Sequence, residues 1–521
     1  MKKFFSNIKN FYTNPDTKVK AWVVTGSVFL AVISIILLIV LLSGSKTKDE
    51  KTVENETVSE EKEVKEKPNE EITKAIEVTP EPTVTEEPTP MITPELTPEP
   101  VIEEEPQLPD YAAIHKEAGE VQSVINGTWV KEEIAKKRPY TFMFNNISVA
   151  NPQSGIGDAD ILYEILVEAG ITRCMGVFEN MNEENSCKDR IGSARSARHY
   201  FASIASEYDS IFIHYGETCY ATKKIAALNL DHLEGTHAEG STVFYRDKNI
   251  KAPHNAFAFL AGIEKAIANK KFRTEHNEDF VPQHFDFAFP EGSSTSIDKV
   301  IYEYIKAKKE AESTRVSAGS GESGEPTAAL TGAASGESGE PAAALVSAAS
   351  GESGESTAVD EPQDPYAGID ISDIEGITVA NYVKIPFSDY TKPYLTYDSE
   401  TRLYTRFQFG GVHIDYNTKE ALKFNNVIIQ LVQESNRDKN GYQDIEGYSD
   451  KKGHNGKVSG KGYYICEGKC IEIKWEKDEK AFTCNYYSLD GQRLVLRPGK
   501  TFIAVYPDSR EKLLEISEEK K

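Results

Sequence analysis

The chain has 521 residues and a formal net charge of -24, with 83 acidic against 59 basic side chains. That balance argues against a nucleic-acid partner, which calls for a clustered basic surface. Much of the charge also lies outside any segment that could fold. Between Lys46 and Asp110 there are 20 acids, seven lysines, ten prolines and no aromatic residue.

In chain order, a basic tail (residues 1–20) carries Lys2, Lys3, Lys9, Lys18 and Lys20 against one acid, Asp16. From Ala21 to Leu42 no residue is charged. Those 22 residues would span roughly 33 Å as a helix, enough for a bilayer core. The lysine excess on the amino side predicts a single-pass anchor with that terminus in the cytoplasm and the bulk of the chain outside. The apolar run is too long for a signal-peptide core, and no small-residue cleavage site follows it. Residues 43–120 then read as an extended, self-repelling stalk.

A folded block is expected over 126–307. Tyr140–Phe144, Ile171–Phe178 and Ser210–His214 read as strands. Asp158–Ala169, Ala194–Glu207, Thr218–Leu228 and Ala256–Lys270 read as helices. The alternation predicts an α/β layered domain with a largely parallel sheet. Residues 310–365 repeat SGESGE from Ser320, Ser335 and Ser350, a flexible expansion with nothing to pack. A second block, 375–508, is rich in Tyr, Phe, Val and Ile, with Asn426–Gln430 and Thr501–Val505 as strands. It reads as mostly β, and a charged tail (509–521) follows. The fold class expected is therefore α+β, with each block long enough for its own core.

No C-x-x-C pair occurs among the six cysteines, so no structural zinc site is expected. Cys466 and Cys470 flank the turn Glu467-Gly468-Lys469 and could pair across it. No metal or cofactor is implied by motif.

Gly192-Ser-Ala-Arg-Ser-Ala-Arg198 is the most informative local sequence. With Ser193 as N-cap, Arg195 and Arg198 would fall in the first two turns of a helix, where the macrodipole disfavours cations. Either an anion docks against them or nearby acids such as Asp160 or Glu164 pair with them. Asn145-Asn146 and His214-Tyr215-Gly216 end predicted strands on the same edge, so Asn146, Arg195 and His214 could converge. Glu168, Thr172 and Arg173 are placed on the opposite edge. His254, in Ala252-Pro-His-Asn255, would sit beside a helix start with Asn255 as N-cap, which favours the neutral imidazole.

These residues resemble a known family. Arg138-Pro139, Asn145-Asn146, Pro152 to Gly155, Ala159-Asp160, Tyr163-Glu164, Glu168, Gly170 to Arg173, Gly192 to Arg198, His214 to Gly216, Tyr245 to Asp247 and Ala252 to Asn255 match the opening of the YerB-type lipoproteins. Ile385 to Ser388, Tyr404 to Arg406, Asn426-Val427, Gly460 and Arg497 to Gly499 resemble that family's carboxyl-terminal part. The resemblance implies a bacterial envelope protein of unknown function. Many relatives look lipid-anchored through a cysteine, whereas here an apolar helix is expected.

Three functions compete. The first is binding of an anionic cell-envelope ligand through Asn146, Arg195, Arg198 and His214. The second is a wall-polymer hydrolase or transferase, with His214 or His254 as acid–base and Asp160 or Asp247 assisting. The third is a scaffold engaging a protein partner, whose polar motifs hold the two blocks together.

Overall fold

The structure, a computed structural model, describes residues 111–238, 240–277, 284–289, 294–319, 370–449, 458–477 and 483–520. The expected anchor (21–42) and most of the stalk and of the repeat tract lie outside the described residues. Among the described residues no helix is long and apolar enough to cross a membrane.

Eleven strands form one central sheet: β1 (Tyr140–Asn146), β2 (Ile161–Leu166), β3 (Thr172–Phe178), β4 (Ile211–His214), β5 (His232–Glu234), β6 (Ile377–Val379), β7 (Asn426–Val432), β8 (Val458–Cys466), β9 (Lys469–Lys477), β10 (Cys484–Ser488) and β11 (Thr501–Pro507). The order is β6-β9-β8-β7-β11-β2-β3-β1-β4-β5, with β10 beside β9. The amino-terminal block supplies one end and the carboxyl-terminal block the other. They meet where β11 runs parallel to β2, Thr501 opposite Ile161.

The expectation of one core per block is therefore corrected. The division runs by sheet face. Met143, Tyr163, Met175 and Phe212 share one apolar cluster with Ile428, Tyr464, Ile473 and Ile503. Phe142, Leu162, Cys174 and Ile213 share the other with Val427, Ile465 and Phe502. Because strand side chains alternate, each strand feeds both clusters. Helices α1 (His199–Glu207), α2 (Cys219–Leu228) and the start of α4 (Ser296–Gly319) cover the first face. Helix α3 (Leu260–Lys270) and a six-stranded antiparallel sheet containing Tyr382–Lys384, Tyr394–Asp398 and Leu403–Gln408 cover the second.

The sheet is mixed rather than largely parallel. β3 is antiparallel to both β1 and β2, while β1–β4 and β4–β5 are parallel. The helix expected over 158–169 is instead β2, flanked by short 3₁₀ turns. All six β2 residues are buried because the strand is covered on both faces. An apolar run without alternation cannot be told from a buried helix by periodicity.

The six cysteines are free thiols. Across the β8–β9 hairpin Cys466 pairs with Lys469 and Cys470 with Ile465. Cys466 joins one face cluster and Cys470 the other, so the two thiols point to opposite sides of the sheet.

Candidate functional site

The segment 192–198 does not open a helix. Its amides are taken from outside: Ala194 N–H bonds to Ala256 O (2.8 Å), Arg195 N–H to Met143 O (2.9 Å) and Ala197 N–H to Gly216 O (2.9 Å). With those groups engaged the chain stays extended, and α1 begins only at His199 with Arg198 as its N-cap. Likewise Ala256–Ala258 is a short strand, and α3 starts after Phe259. Ser193 and Asn255 are thus not the caps expected, and the arginines lie along the carboxyl ends of β1 and β4.

Because β3 is antiparallel to β1, its start lies at the same rim. Arg173 stands opposite Asn145 in the register, which corrects its placement on the far edge. Glu168, just before β3, is also at this rim: Arg198 Nε bonds to its two carboxylate oxygens at 2.8 and 3.0 Å. Arg198 is thereby an ion-pair partner and does not present a free guanidinium.

Arg195 is different. Its guanidinium bonds to His254 Nδ1 (2.8 Å) and lies 3.4 Å from Pro253 O. Asn145 Nδ2 also reaches His254 Nδ1, at 3.0 Å. Two N–H donors aimed at one ring nitrogen assign His254 as the neutral tautomer with its proton on Nε2. Burial, and then the Arg195 charge, holds its pKa below the ordinary histidine value. Arg246 stands over the Tyr215 ring, 4.7 Å from its centroid, and bonds to Asn255 Oδ1 (2.7 Å). Arg173 bonds to Ser196 O. Burial, then the neighbouring Arg198 charge, brings its pKa down to about 9. Arg195 is lowered by burial and by Arg198 and Arg246. Among the described residues Arg173, Arg195 and Arg246 form no ion pair; of the carboxylates nearby, Glu168 is taken by Arg198 and Asp247 by Arg190. Positive charge graded from buried Arg173 through half-buried Arg195 to exposed Arg246, with directed N–H donors, suits a carboxylate or phosphate.

The other expected residues go elsewhere. Asn146 is fully buried. Its amide donates to Glu164 Oε1 (2.9 Å) and Thr172 Oγ1 (2.8 Å), and its carbonyl accepts from Gln153 (3.2 Å). The network continues across the two blocks: Arg406 bonds to Glu164 Oε2 (2.5 Å) and to His413, whose Nε2 meets Gln153 Oε1 at 2.7 Å. Strand alternation explains the split, since Asn145 points to the arginine side of β1 and Asn146 to the opposite face.

His214 is also fully buried. It bonds to Gly216 O and His232 Nδ1, each at 3.0 Å. Asp160 accepts from Asn126 Nδ2 (2.7 Å) and the Glu179 amide (2.8 Å). It lines a groove of about 520 Å³ between the blocks, together with Asp415, Glu420, Lys423 and Lys500. Asp247 pairs with Arg190 at 2.9 Å. Each of the four acid–base candidates has different partners, so the pairing of His214 or His254 with Asp160 or Asp247 is not assembled.

Residues 125–273 match the amino-terminal domain, and residues 383–503 the carboxyl-terminal domain, of a protein family of unknown function, DUF3048. The chain belongs to the DUF3048 family. The YerB protein of Bacillus subtilis (strain 168), whose name marks it as a candidate lipoprotein, is 24% identical over 396 residues, covering 76% of this chain and 89% of that protein. The crystal structure of YerB protein from Bacillus subtilis superposes with a TM-score of 0.52 at 21% identity, over 76% of this chain and 99% of that one. The fold is shared. Within the DUF3048 amino-terminal match, segments 192–198, 214–216, 245–247 and 252–255, with Asn145, gather around Arg195. Arg173, Arg246, Asn145 and Asn255 were not singled out as ligand groups from sequence. Their visible signal is the motifs that hold them, Asn145-Asn146, Gly170 to Arg173, Tyr245 to Asp247 and Ala252 to Asn255.

Proposed function

We propose that this DUF3048 protein is a membrane-anchored envelope protein that binds an anionic cell-envelope ligand at the Arg195 rim. The lipoprotein name of the YerB relative supports an anchored, extracytoplasmic location, and the apolar run 21–42 supplies the anchor in this reading. One observation carries the binding proposal: Arg173 and Arg246 both lie near Arg195, and none of the three forms an ion pair among the described residues. Asn145 and His254 orient the Arg195 fork rather than neutralise it. Arg198, Asn146 and His214, first grouped with Arg195, act as supports.

The test is binding of the full-length chain to isolated Gram-positive cell walls, with inorganic phosphate as a competitor. Arg195→Ala is expected to lose at least about tenfold in wall retention, since a charge-assisted bond is worth roughly 1.5–3 kcal/mol. Unchanged retention would overturn the assignment.

A scaffold reading has one specific observation in its favour, confined to the opposite face. Glu164, Arg406, His413 and Asn146 are all buried and mutually bonded across the two blocks. Those motif residues serve cohesion in this reading and leave the arginine rim as the binding surface.

A further inference from the structure

We infer that His214, His232 and Glu217 form a binding site for a divalent transition-metal ion of the zinc class, beside the arginine rim. Their candidate ligand atoms all lie within 4.8 Å of one another. His214 Nε2 stands 3.0 Å from His232 Nδ1 and 3.8 Å from Glu217 Oε2. A tetrahedral ion with bonds near 2.0–2.2 Å separates its ligand atoms by about 3.3 Å. The cluster is therefore within a small side-chain adjustment of a coordination shell.

The surroundings are arranged as they are around metal-binding imidazoles. His214 Nδ1–H donates to Gly216 O at 3.0 Å, which fixes the tautomer and turns the Nε2 lone pair toward the other two groups. Gly216 must be glycine for this turn: its φ is +80°, and an added Cβ would lie 2.9 Å from Ser196 Oγ. Its amide is held by Glu234 Oε1 at 2.6 Å, so the supporting turn is itself braced.

Glu217 supplies the observation that points to a cation. Its Oε1 accepts from Thr222 Oγ1 at 2.8 Å. Its Oε2 is buried and has no hydrogen-bond partner among the described residues. A buried carboxylate oxygen without a donor is costly, and an ion between it and the two imidazoles would satisfy it. Binding requires one rearrangement that conserves protons. His214 carries its hydrogen on Nδ1, so the hydrogen in the histidine–histidine contact sits on His232 Nδ1. The ion displaces that hydrogen, which returns to the ring at Nε2, leaving both rings neutral and Glu217 ionised. Three protein ligands leave a fourth position for water or an anion. The Tyr215 amide bonds to Arg195 O at 3.1 Å, so the turn that carries His214 and Glu217 lies next to the segment that carries Arg195. Tetrahedral zinc normally draws on motif spacing that sequence reveals. Here the ligands come from β4, the turn after it and the edge strand β5, which no short motif encodes.

The experiment uses the metal-stripped full-length chain, titrated with Co²⁺ and then displaced with Zn²⁺. Expected is a visible absorption of four-coordinate cobalt saturating at one equivalent. Cobalt held by the acidic stalk through carboxylate oxygen and water is octahedral and absorbs far more weakly. His232→Gln and Glu217→Gln, at partly exposed positions, are each expected to weaken Co²⁺ binding by at least about tenfold, with unchanged melting temperature in chelator. Wild-type protein with no such absorption would overturn the proposal. So would a Glu217→Gln or His232→Gln variant that keeps it, since the histidine pair would then be only a structural hydrogen bond.

Discussion

Two polar regions lie back to back across β1, and they handle charge in opposite ways. On one face Glu164 and Arg406 are fully buried at 2.5 Å, and their other bonds go to Asn146, Thr172 and His413, the last held in turn by Gln153. On the other, Arg173, Arg198 and Arg246 lie near Arg195, and among the described residues only Arg198 of the four is ion-paired. The first region has used its charges to join two halves of a sheet. The second retains positive charge with directed donors, which the proposed function assigns to an external anion. Polar motifs that look alike in sequence thus separate into cohesion and recognition according to which side of a strand they occupy.

The largest expected effect breaks the first region. Arg406→Met strands the Glu164 carboxylate in the core and is expected to cost about 3–5 kcal/mol in a thermal or denaturant melt. A cost below about 1 kcal/mol would mean the two halves do not depend on this pair. Glu168→Gln sharpens the contrast, because it removes the carboxylate that pairs with Arg198. Stability is expected to fall by roughly 1–3 kcal/mol, while wall binding tightens. A fall in both would show Glu168 to be part of the ligand contact itself.

Intermediate between the two regions are Asp160 and Glu179 beside the interblock groove. Burial, with the Asp160 charge adding to it and the Ser123 hydroxyl opposing, raises Glu179 from 4.5 to about 7. The folded state then holds a proton that the unfolded state releases, so stability falls as pH rises from about 4.5 to 7. Melts across that window are expected to show the slope in the wild type and a flatter one in Glu179→Gln. The smallest stability effect belongs to Arg195→Ala, at most about 0.5 kcal/mol. A large loss there would move Arg195 into the cohesive class.

Strands with strong β-branched or aromatic content were legible: β1, β3, β4, β7 and β11 are close to where the sequence places them, as is α2 with its Thr218 cap. β2 was not, because burial on both faces erases the alternation that marks a strand. The rim expected to gather Asn146, Arg195 and His214 gathers Asn145, Arg195 and His254 instead, with Asn146 turned to the other face and His214 buried against His232. The helix expected at Ser193 fails because carbonyls of Met143, Gly216 and Ala256 claim its amides, partners that no local pattern reveals. Arg173 and Glu168 were put on the far edge because strand direction was taken as parallel. Direction depends on which strands become neighbours, and β2 acquires one neighbour from the far end of the chain.

That neighbour has a consequence for how the chain is made. The Ile161–Thr501 pairing closes last in synthesis, after every other strand of the sheet has been made. Until then β2 presents a bare edge of unpaired amides and carbonyls, of the kind that recruits strands from other molecules. Lengthening the intervening tract raises the entropy of closing that loop only logarithmically. Chain length between the halves is therefore cheap for the finished fold, while each added residue prolongs the interval in which the nascent half must be shielded.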